Sequence, residues 1–224
     1  MEKHHDHMRQ QLLELKDPFH PLLKKLRQKA PGTYFHSMIV SELAATACLR
    51  FHQSNALLAQ VGGLYHDIGK MVTPEAYAEN QEDKSYPFRP DIIITHVEKG
   101  FEIAEAFHLP EEIHRFILTH HGTQNAPQVN PNQFNPYPKA FRPQSVEESL
   151  VMLADSTEAA IRSSKNPERH SIQEIIRMIF DHKLQSDQLR DSVLISYDLE
   201  QIKEDFTDVF MAIYHRRHAT EYED

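Results

Sequence analysis

The stretch "GGLYHDIGKM", Gly62–Met71, sets a histidine, an aspartate and a lysine among glycines and aliphatic residues, in what reads as a buried helix. Ionisable groups in such surroundings cost free energy unless they are paired, hydrogen-bonded or bound to a metal ion. His66, Asp67 and Lys70 therefore need partners, and most of those must come from elsewhere in the chain.

Helical periodicity surrounds this stretch on both sides. Thr33 is placed to cap a helix in which His36, Ile39, Val40, Leu43, Ala44 and Ala47 share one face. Ser54 or Asn55 starts the next helix, which carries Leu57, Leu58, Val61, Leu64, Tyr65 and Ile68 and ends near Gly69. A polar segment leads to a helix from about Asp91 that contains Ile92, Ile93, His96, Gly100, Ile103 and Ala104. Pro110, Glu111 and Glu112 mark another start, with proline in the first turn and acids at the positive end of the dipole. Its stripe runs through Ile113, Phe116, Ile117, His120 and His121 and closes at Gly122.

A proline-rich segment from Thr123 to Gln144 reads as a non-helical loop, either a functional lid or disordered chain. Ser145 and Glu148 then form the S-x-x-E capping box of the helix "VEESLVMLADSTEAAIRSS". Amphipathic segments follow at about Ser171–Leu184 and Leu199–His215. Before Thr33, the histidine-rich start "MEKHHDHMRQ" reads as a frayed terminus, followed by a short helix through Leu12, Leu13 and Leu15 that Pro18 and Pro21 interrupt. With no sustained alternation of strand type and no internal repeat, the expected fold is an all-α single domain.

Composition narrows the function classes. A formal net charge of −9 argues against binding a nucleic-acid polymer through its backbone, which calls for a basic surface. It leaves room for a small phosphorylated substrate, because bound metal ions reverse the local field. A single cysteine, Cys48, excludes an intramolecular disulfide framework, fits a reducing compartment and reads as core packing. No apolar run approaches the ~20 residues of a membrane-spanning helix, so no membrane segment is expected in this chain.

The ionisable residues on or beside apolar stripes are His36, His66, Asp67, His96, His120, His121 and Asp155, drawn from five helices. Taken singly, each histidine reads more naturally as a satisfied core residue, and Asp67 can pair with Lys70. Taken together, seven such groups would each require a private partner, whereas one shared cation site satisfies them all. Imidazole and carboxylate donors without a thiolate suit manganese, iron, cobalt, nickel or zinc. Adjacent His66 and Asp67 project about 100° apart on a helix, so they can reach a metal centre from different sides. Two histidine pairs would crowd one ion, and the donor count leans toward two.

The order H…HD…H…HH…D resembles that of the HD-domain metal-dependent phosphohydrolases. The segments "APGTYFHSMIVSELA", "GGLYHDIGKM", "ENQ", "IIITHVEKG", "LPEEIHRFILTHHGT" and "MLADSTEAAIR" are similar to those of one subgroup, the cytoplasmic HD domain of seven-transmembrane-HD cyclic di-AMP phosphodiesterases. The resemblance covers residues 30–218, leaving 1–29 as a helical and polar lead-in and 219–224 as a polar tail. It implies an all-helical bundle with the metal site in its core and a cytoplasmic location.

By the same resemblance, His36, His66, Asp67 and Asp155 hold one ion, and Asp67, His96, His120 and His121 hold the other, with Asp67 bridging. The ions implied are iron or manganese. A metal-bridging hydroxide would attack phosphorus in line, Lys70 would neutralise a phosphate oxygen, and the product from cyclic di-AMP would be linear pApA. Arg142 and Arg162 are candidate phosphate contacts, and Tyr86 and Phe88 are candidate stacking partners for a base. The segment after "ENQ" is shorter than usual for the family, and "FRPQSVEES" resembles a contracted form of its proline-rich stretch.

Three other readings stand beside this one. A cyclic di-GMP enzyme of the HD-GYP type would carry Asp-Gly…Gly-Tyr-Pro where this chain has "GTQNAPQ". A mononuclear nucleotide hydrolase would use only His36, His66, Asp67 and Asp155 and leave the other histidines idle. A non-catalytic nucleotide sensor fits the reduced loops, but would keep a full ligand set and Lys70 to no catalytic purpose.

Overall fold

Thr33, the expected cap, lies inside its helix. In the computed structural model, which describes residues 2–81, 87, 89–93, 95–123, 142–164, 168–194 and 196–220, helix α3 spans Pro31–Cys48 and opens on its proline. Proline suits that position because its missing N–H would have no intrahelical partner there. The side-chain cap comes from a distant segment. The Thr33 N–H donates to Asn80 Oδ1 at 3.0 Å, and Asn80 Nδ2 donates to Thr33 Oγ1 at 2.9 Å.

Two helices precede it, α1 (Glu2–Lys16) and α2 (Pro21–Lys29). Where fraying is expected from the polar start, α1 is helical from Glu2 onward. Leu12 and Leu15 of α1, with Leu22, Leu23 and Leu26 of α2, are buried in the same core as the later helices. Each such side chain taken fully out of water contributes about 1.5–3 kcal/mol. Tyr65 ties this layer to the centre by donating its hydroxyl to the Leu15 carbonyl at 2.9 Å.

Helix α4 spans Ala56–Tyr65, with Asn55 as its cap: Asn55 Oδ1 accepts from the Leu58 N–H at 3.1 Å. The helix stops before Gly69, because Asp67 leaves helical geometry at φ −109, ψ 16 and a 3₁₀ turn follows over Ile68–Val72. Two shorter 3₁₀ turns, Pro74–Ala76 and Ala78–Asn80, continue the chain. The single helix expected from Asp91 is split into a short α5 (Pro90–Ile93) and α6 (His96–Ala106).

Helix α7 (Glu111–Thr119) starts after Pro110 as expected, and Gly122 beyond it has φ +61, the left-handed conformation that glycine adopts at little cost. Helix α8 (Val146–Arg162) forms half of its capping box. Ser145 Oγ accepts from the Glu148 N–H, but the Glu148 carboxylate turns to the Gln144 N–H and to Arg115. Helices α9 (Arg169–Gln185) and α10 (Ser196–Thr220) complete the order.

Helix α3 packs against both α4 and α8, while α6 lies on the Ile68–Val72 turn and against α7. The α9–α10 pair closes another side, with Phe180 and Phe206 edge to face at 5.7 Å. Among the described residues there is no strand, and no helix is long and apolar enough to cross a membrane. Cys48 is buried, and burial pushes its thiol up to about 11, as suits a packing residue. Most of residues 123–144 lie outside the described residues, so the alternatives for that loop stand where the sequence left them.

Candidate metal centre

Three of the five histidines in question sit at helix ends, where backbone carbonyls lack helical partners. His66 closes α4, with Nδ1 2.8 Å from the Gly63 carbonyl. His120 closes α7, with Nδ1 2.9 Å from the Ile117 carbonyl. His96 opens α6, with Nδ1 on the Ile93 carbonyl. A carbonyl can only accept, so Nδ1 carries the proton in each ring. In the neutral imidazole, Nε2 is then a lone pair, and all three Nε2 atoms turn toward Asp67. His36 differs. It lies within α3, and its Nδ1 is held by the Glu158 carboxylate of α8.

Asp67 stands between two donor groups. Its Oδ2 lies 3.5 Å from His36 Nε2 and 3.3 Å from His66 Nε2. Its Oδ1 lies 3.4 Å from His96 Nε2 and 3.6 Å from His120 Nε2. Asp155 of α8 joins the first pair, with Oδ1 3.1 Å from His36 Nε2 and 3.7 Å from His66 Nε2. His121 joins the second, its Nε2 3.0 Å from His96 Nε2. The ligand atoms of His36, His66, Asp67 and Asp155 all lie within 4.8 Å of one another, as do those of His96, His120 and His121.

These donors fit divalent metal ions on two grounds. Asp67 and His66 are fully buried, yet Asp67 Oδ1 and His66 Nε2 lack a hydrogen-bond partner among the described residues, and Asp67 Oδ2 is met by the Lys70 ammonium. Such orphaned atoms cost about 1–3 kcal/mol each unless something else satisfies them. Moreover, the Nε2 atoms of His96 and His120 are 3.3 Å apart, although both rings spend their proton at Nδ1. Two lone pairs so close are suited to a shared cation. Imidazole and carboxylate are the donors that first-row divalent ions accept.

Electrostatics separates the two groups. Burial opposes charge on His36 and His66, but neighbouring carboxylates outweigh it. Asp155 and Glu158 hold His36 above its ordinary value, and Asp67 with Asp155 raises His66 to about 10. Burial wins in the second group, leaving His96 and His120 below the ordinary value and therefore neutral. His121, whose side chain keeps 30% exposure, is likewise lowered by burial and by His96. Against the cost of burial, Lys70 and the histidines hold Asp67 well below the usual carboxylate range, and His36 and His66 do the same for Asp155.

Lys70 points into the cluster, with Nζ 2.6 Å from Asp67 Oδ2 and 3.1 Å from Glu79 Oε1. Arg162 is held by Glu158 at 3.1 Å and lies 3.8 Å from Glu79. Arg142 faces Asp187 and Asp191 at 3.9 and 3.7 Å, on the turn after α9. Tyr86 and Phe88 lie outside the described residues. Sequence reasoning passed over two carboxylates here, Glu158 and Glu79. Glu158 sits one turn after Asp155 in "MLADSTEAAIR", and Glu79 is the acid of "ENQ", so both lay in segments already singled out.

Close approach of α6 to the turn after Asp67 depends on Gly69. A β-carbon there would lie 1.9 Å from the His96 carbonyl oxygen and 2.5 Å from the Gly100 nitrogen. Only a residue without a side chain lets the His96 backbone come this near to the Asp67 turn.

Comparison with known proteins places this geometry among relatives. A model of the HD domain matches residues 33–160. The chain is 36% identical, over 92% of its length, to the cyclic-di-AMP phosphodiesterase PgpH of Bacillus subtilis, and spans 31% of that relative. Its structure is similar to the crystal structure of the L. monocytogenes PgpH HD domain, with a TM-score of 0.78 at 35% identity, covering 88% of this chain and 100% of that one. The same domain solved in complex with cyclic-di-AMP aligns over the same shares, with a TM-score of 0.77 and 35% identity.

Proposed function

The chain belongs to the HD-domain family, and on that premise we propose that it is a metal-dependent phosphodiesterase that hydrolyses cyclic di-AMP to linear pApA. The observation that carries this reading is Asp67, whose two oxygens each face a separate set of imidazole donors. A carboxylate so placed suits two ions side by side, held by His36, His66, Asp67 and Asp155 and by Asp67, His96, His120 and His121. Iron and manganese fit these nitrogen and oxygen donors. Two divalent ions bound there supply electrophilic stabilisation of phosphoryl oxygens and activate water near neutral pH.

The chain's own residues set up the rest. The Nδ1–H bonds of His66, His96 and His120 fix each ring with Nε2 facing the centre, so little reorganisation is needed on binding. Burial opposes the Lys70 charge, but Asp67 and Glu79 hold its amine above the ordinary value, so it is an ammonium at neutral pH. In this reading it neutralises a phosphate oxygen of the substrate. Water adds across one phosphodiester P–O3′ bond, leaving a 5′-phosphate on one end of the dinucleotide and a 3′-hydroxyl on the other. The identity to PgpH and the likeness to its domain bound to cyclic-di-AMP favour that substrate over other cyclic dinucleotides.

The test is turnover by the Mn²⁺- or Fe²⁺-loaded protein, with cyclic di-AMP and cyclic di-GMP side by side and Asp67→Ala as control. Selective formation of pApA, lost in Asp67→Ala, is the expected result. A protein that binds two ions and turns over neither nucleotide would overturn the substrate and point to another phosphoester or a sensor.

A further inference from the structure

We infer that Arg162 is a positioning residue that couples the His36 side of the metal centre to Lys70 through two buried glutamates, Glu158 and Glu79. The inference rests on the dinuclear reading above and adds a device to it.

The geometry is a closed ring of contacts. Arg162 Nε donates to Glu158 Oε2 at 3.1 Å, and that same oxygen takes His36 Nδ1. On its other side, Arg162 Nη2 lies 3.8 Å from Glu79 Oε2, while Glu79 Oε1 accepts from Lys70 Nζ at 3.1 Å and contacts Thr33 Oγ1 at 3.3 Å. Lys70 and His36 then meet again at Asp67 Oδ2, at 2.6 and 3.5 Å. The ring joins α3, α8 and the segment from Asp67 to Asn80. Of its members, "MLADSTEAAIR" supplies Glu158 and Arg162, and "ENQ" supplies Glu79.

The side chains of Glu158 and Glu79 are almost fully buried, at 4% and 7% exposure, beside two further carboxylates, Asp67 and Asp155. Arg162 is the cation common to both glutamates. Its guanidinium is a rigid planar fork with donors on opposite edges, able to span two carboxylates, whereas a lysine ammonium is a point charge that settles on one. The side chain is 36% exposed, and ion pairs open to solvent add little to stability. Its effect therefore falls on orientation. With Arg162 in place, Glu158 is held where it takes His36 Nδ1 and leaves Nε2 toward the metal side. Without it, Glu158 keeps only His36 and Glu79 only Lys70 and Thr33, and the link between the two carboxylates is lost.

Two-step Mn²⁺ binding to the metal-free protein, followed by equilibrium dialysis and electron paramagnetic resonance, tests this, with His121→Ala identifying the step that belongs to the three-histidine group. Arg162→Met should weaken the other step about 10–100-fold, the range for outer-shell changes, and leave the three-histidine step unchanged. Arg162→Lys should fall between Arg162→Met and wild type. Glu79→Gln should weaken the same step as Arg162→Met, although Glu79 touches no histidine of the centre. The double variant should lose less than the two single effects combined.

Wild-type binding of both ions by Arg162→Met, full rescue by Arg162→Lys, or equal weakening of both steps would each overturn the coupling. If Arg162→Met does not fold, Glu79→Gln decides alone, and an unchanged isotherm sinks the inference. A wild-type protein that takes up only one ion would instead sink the dinuclear reading itself.

Discussion

In one half of the centre, His36 and His66 stand among carboxylates, with Asp67 and Asp155 in reach and Glu158 behind His36. In the other half, His96, His120 and His121 crowd one another, with Asp67 Oδ1 near His96 and His120 and Asp155 no closer to His121 than 4.0 Å. Both halves bury imidazoles. In the first, Asp155 and Glu158 join Asp67 and outweigh the cost of burial, which favours the protonated rings; in the second, burial outweighs Asp67 and keeps the rings neutral. A metal ion entering the first half must displace protons. One entering the second finds lone pairs ready.

Asp67 is the residue the halves share, and the largest effect is expected there. Asp67→Asn should weaken both ions and reduce turnover by at least about 10²–10³-fold, since electrophilic stabilisation worth several kcal/mol is at stake. Metal content and single-turnover rates measured on one preparation would check it. Loss of only one ion would show that Asp67 does not bridge.

Next in size are the one-sided variants. His36→Ala and His120→Ala should each lower the metal stoichiometry from two toward one, with the lost ion weakened by more than the ~10–100-fold typical of outer-shell changes. A mixed-metal titration would reveal whether the two variants lose different ions, as the geometry requires.

The protonation contrast gives a smaller, graded effect. His66 is held at about 10, so it carries a proton that the metal must remove at neutral pH, and the carboxylates around His36 shift it in the same direction. Proton competition therefore falls as pH rises. Affinity in the first half should increase between pH 6.5 and about 10, by roughly tenfold per pH unit for each proton displaced. His96, His120 and His121 lie below 6.5, so affinity in the second half should stay level over that window. Calorimetry in buffers of different ionisation enthalpy counts the protons released, and equal release from both halves would break the contrast.

The smallest effect is structural. Gly69→Ala should destabilise the protein by about 1–3 kcal/mol, because the added carbon must push the His96 backbone away. For a chain of this size that is roughly 2–4 °C of melting temperature per kcal/mol. The loss should be accompanied by weaker binding in the three-histidine half alone.

Much of this was legible without coordinates. The apolar stripes named nearly every long helix, because burial of one face imposes a 3.6-residue period that survives in the sequence. The same reading put His36, His66, His96, His120, His121 and Asp155 on or beside inward faces, and the structure gathers them into two adjoining groups, one holding Asp67 and the other facing it through His96 and His120. Helix ends were less legible. Thr33 has the side chain of a cap, yet the cap is Asn80, 47 residues away, and no local pattern announces a partner so distant. Glu148 completes the letters of a capping box but prefers Arg115, an ion pair made only once α7 and α8 pack together.

The sequence by itself determined which residue types are available to the centre and that they lie on helices, since buried imidazoles and carboxylates without private partners imply a shared cation. Only the tertiary structure decided how they divide. The break at Asp67 turns its two oxygens toward different neighbours, and backbone carbonyls select which ring nitrogen each histidine presents. Carboxylates from α8 reach one half far more closely than the other. Those choices depend on distances of a few ångströms between segments far apart in the chain. Electrostatic and hydrogen-bond energies change steeply over such distances, whereas hydrophobic periodicity, which is all that a linear pattern records, does not.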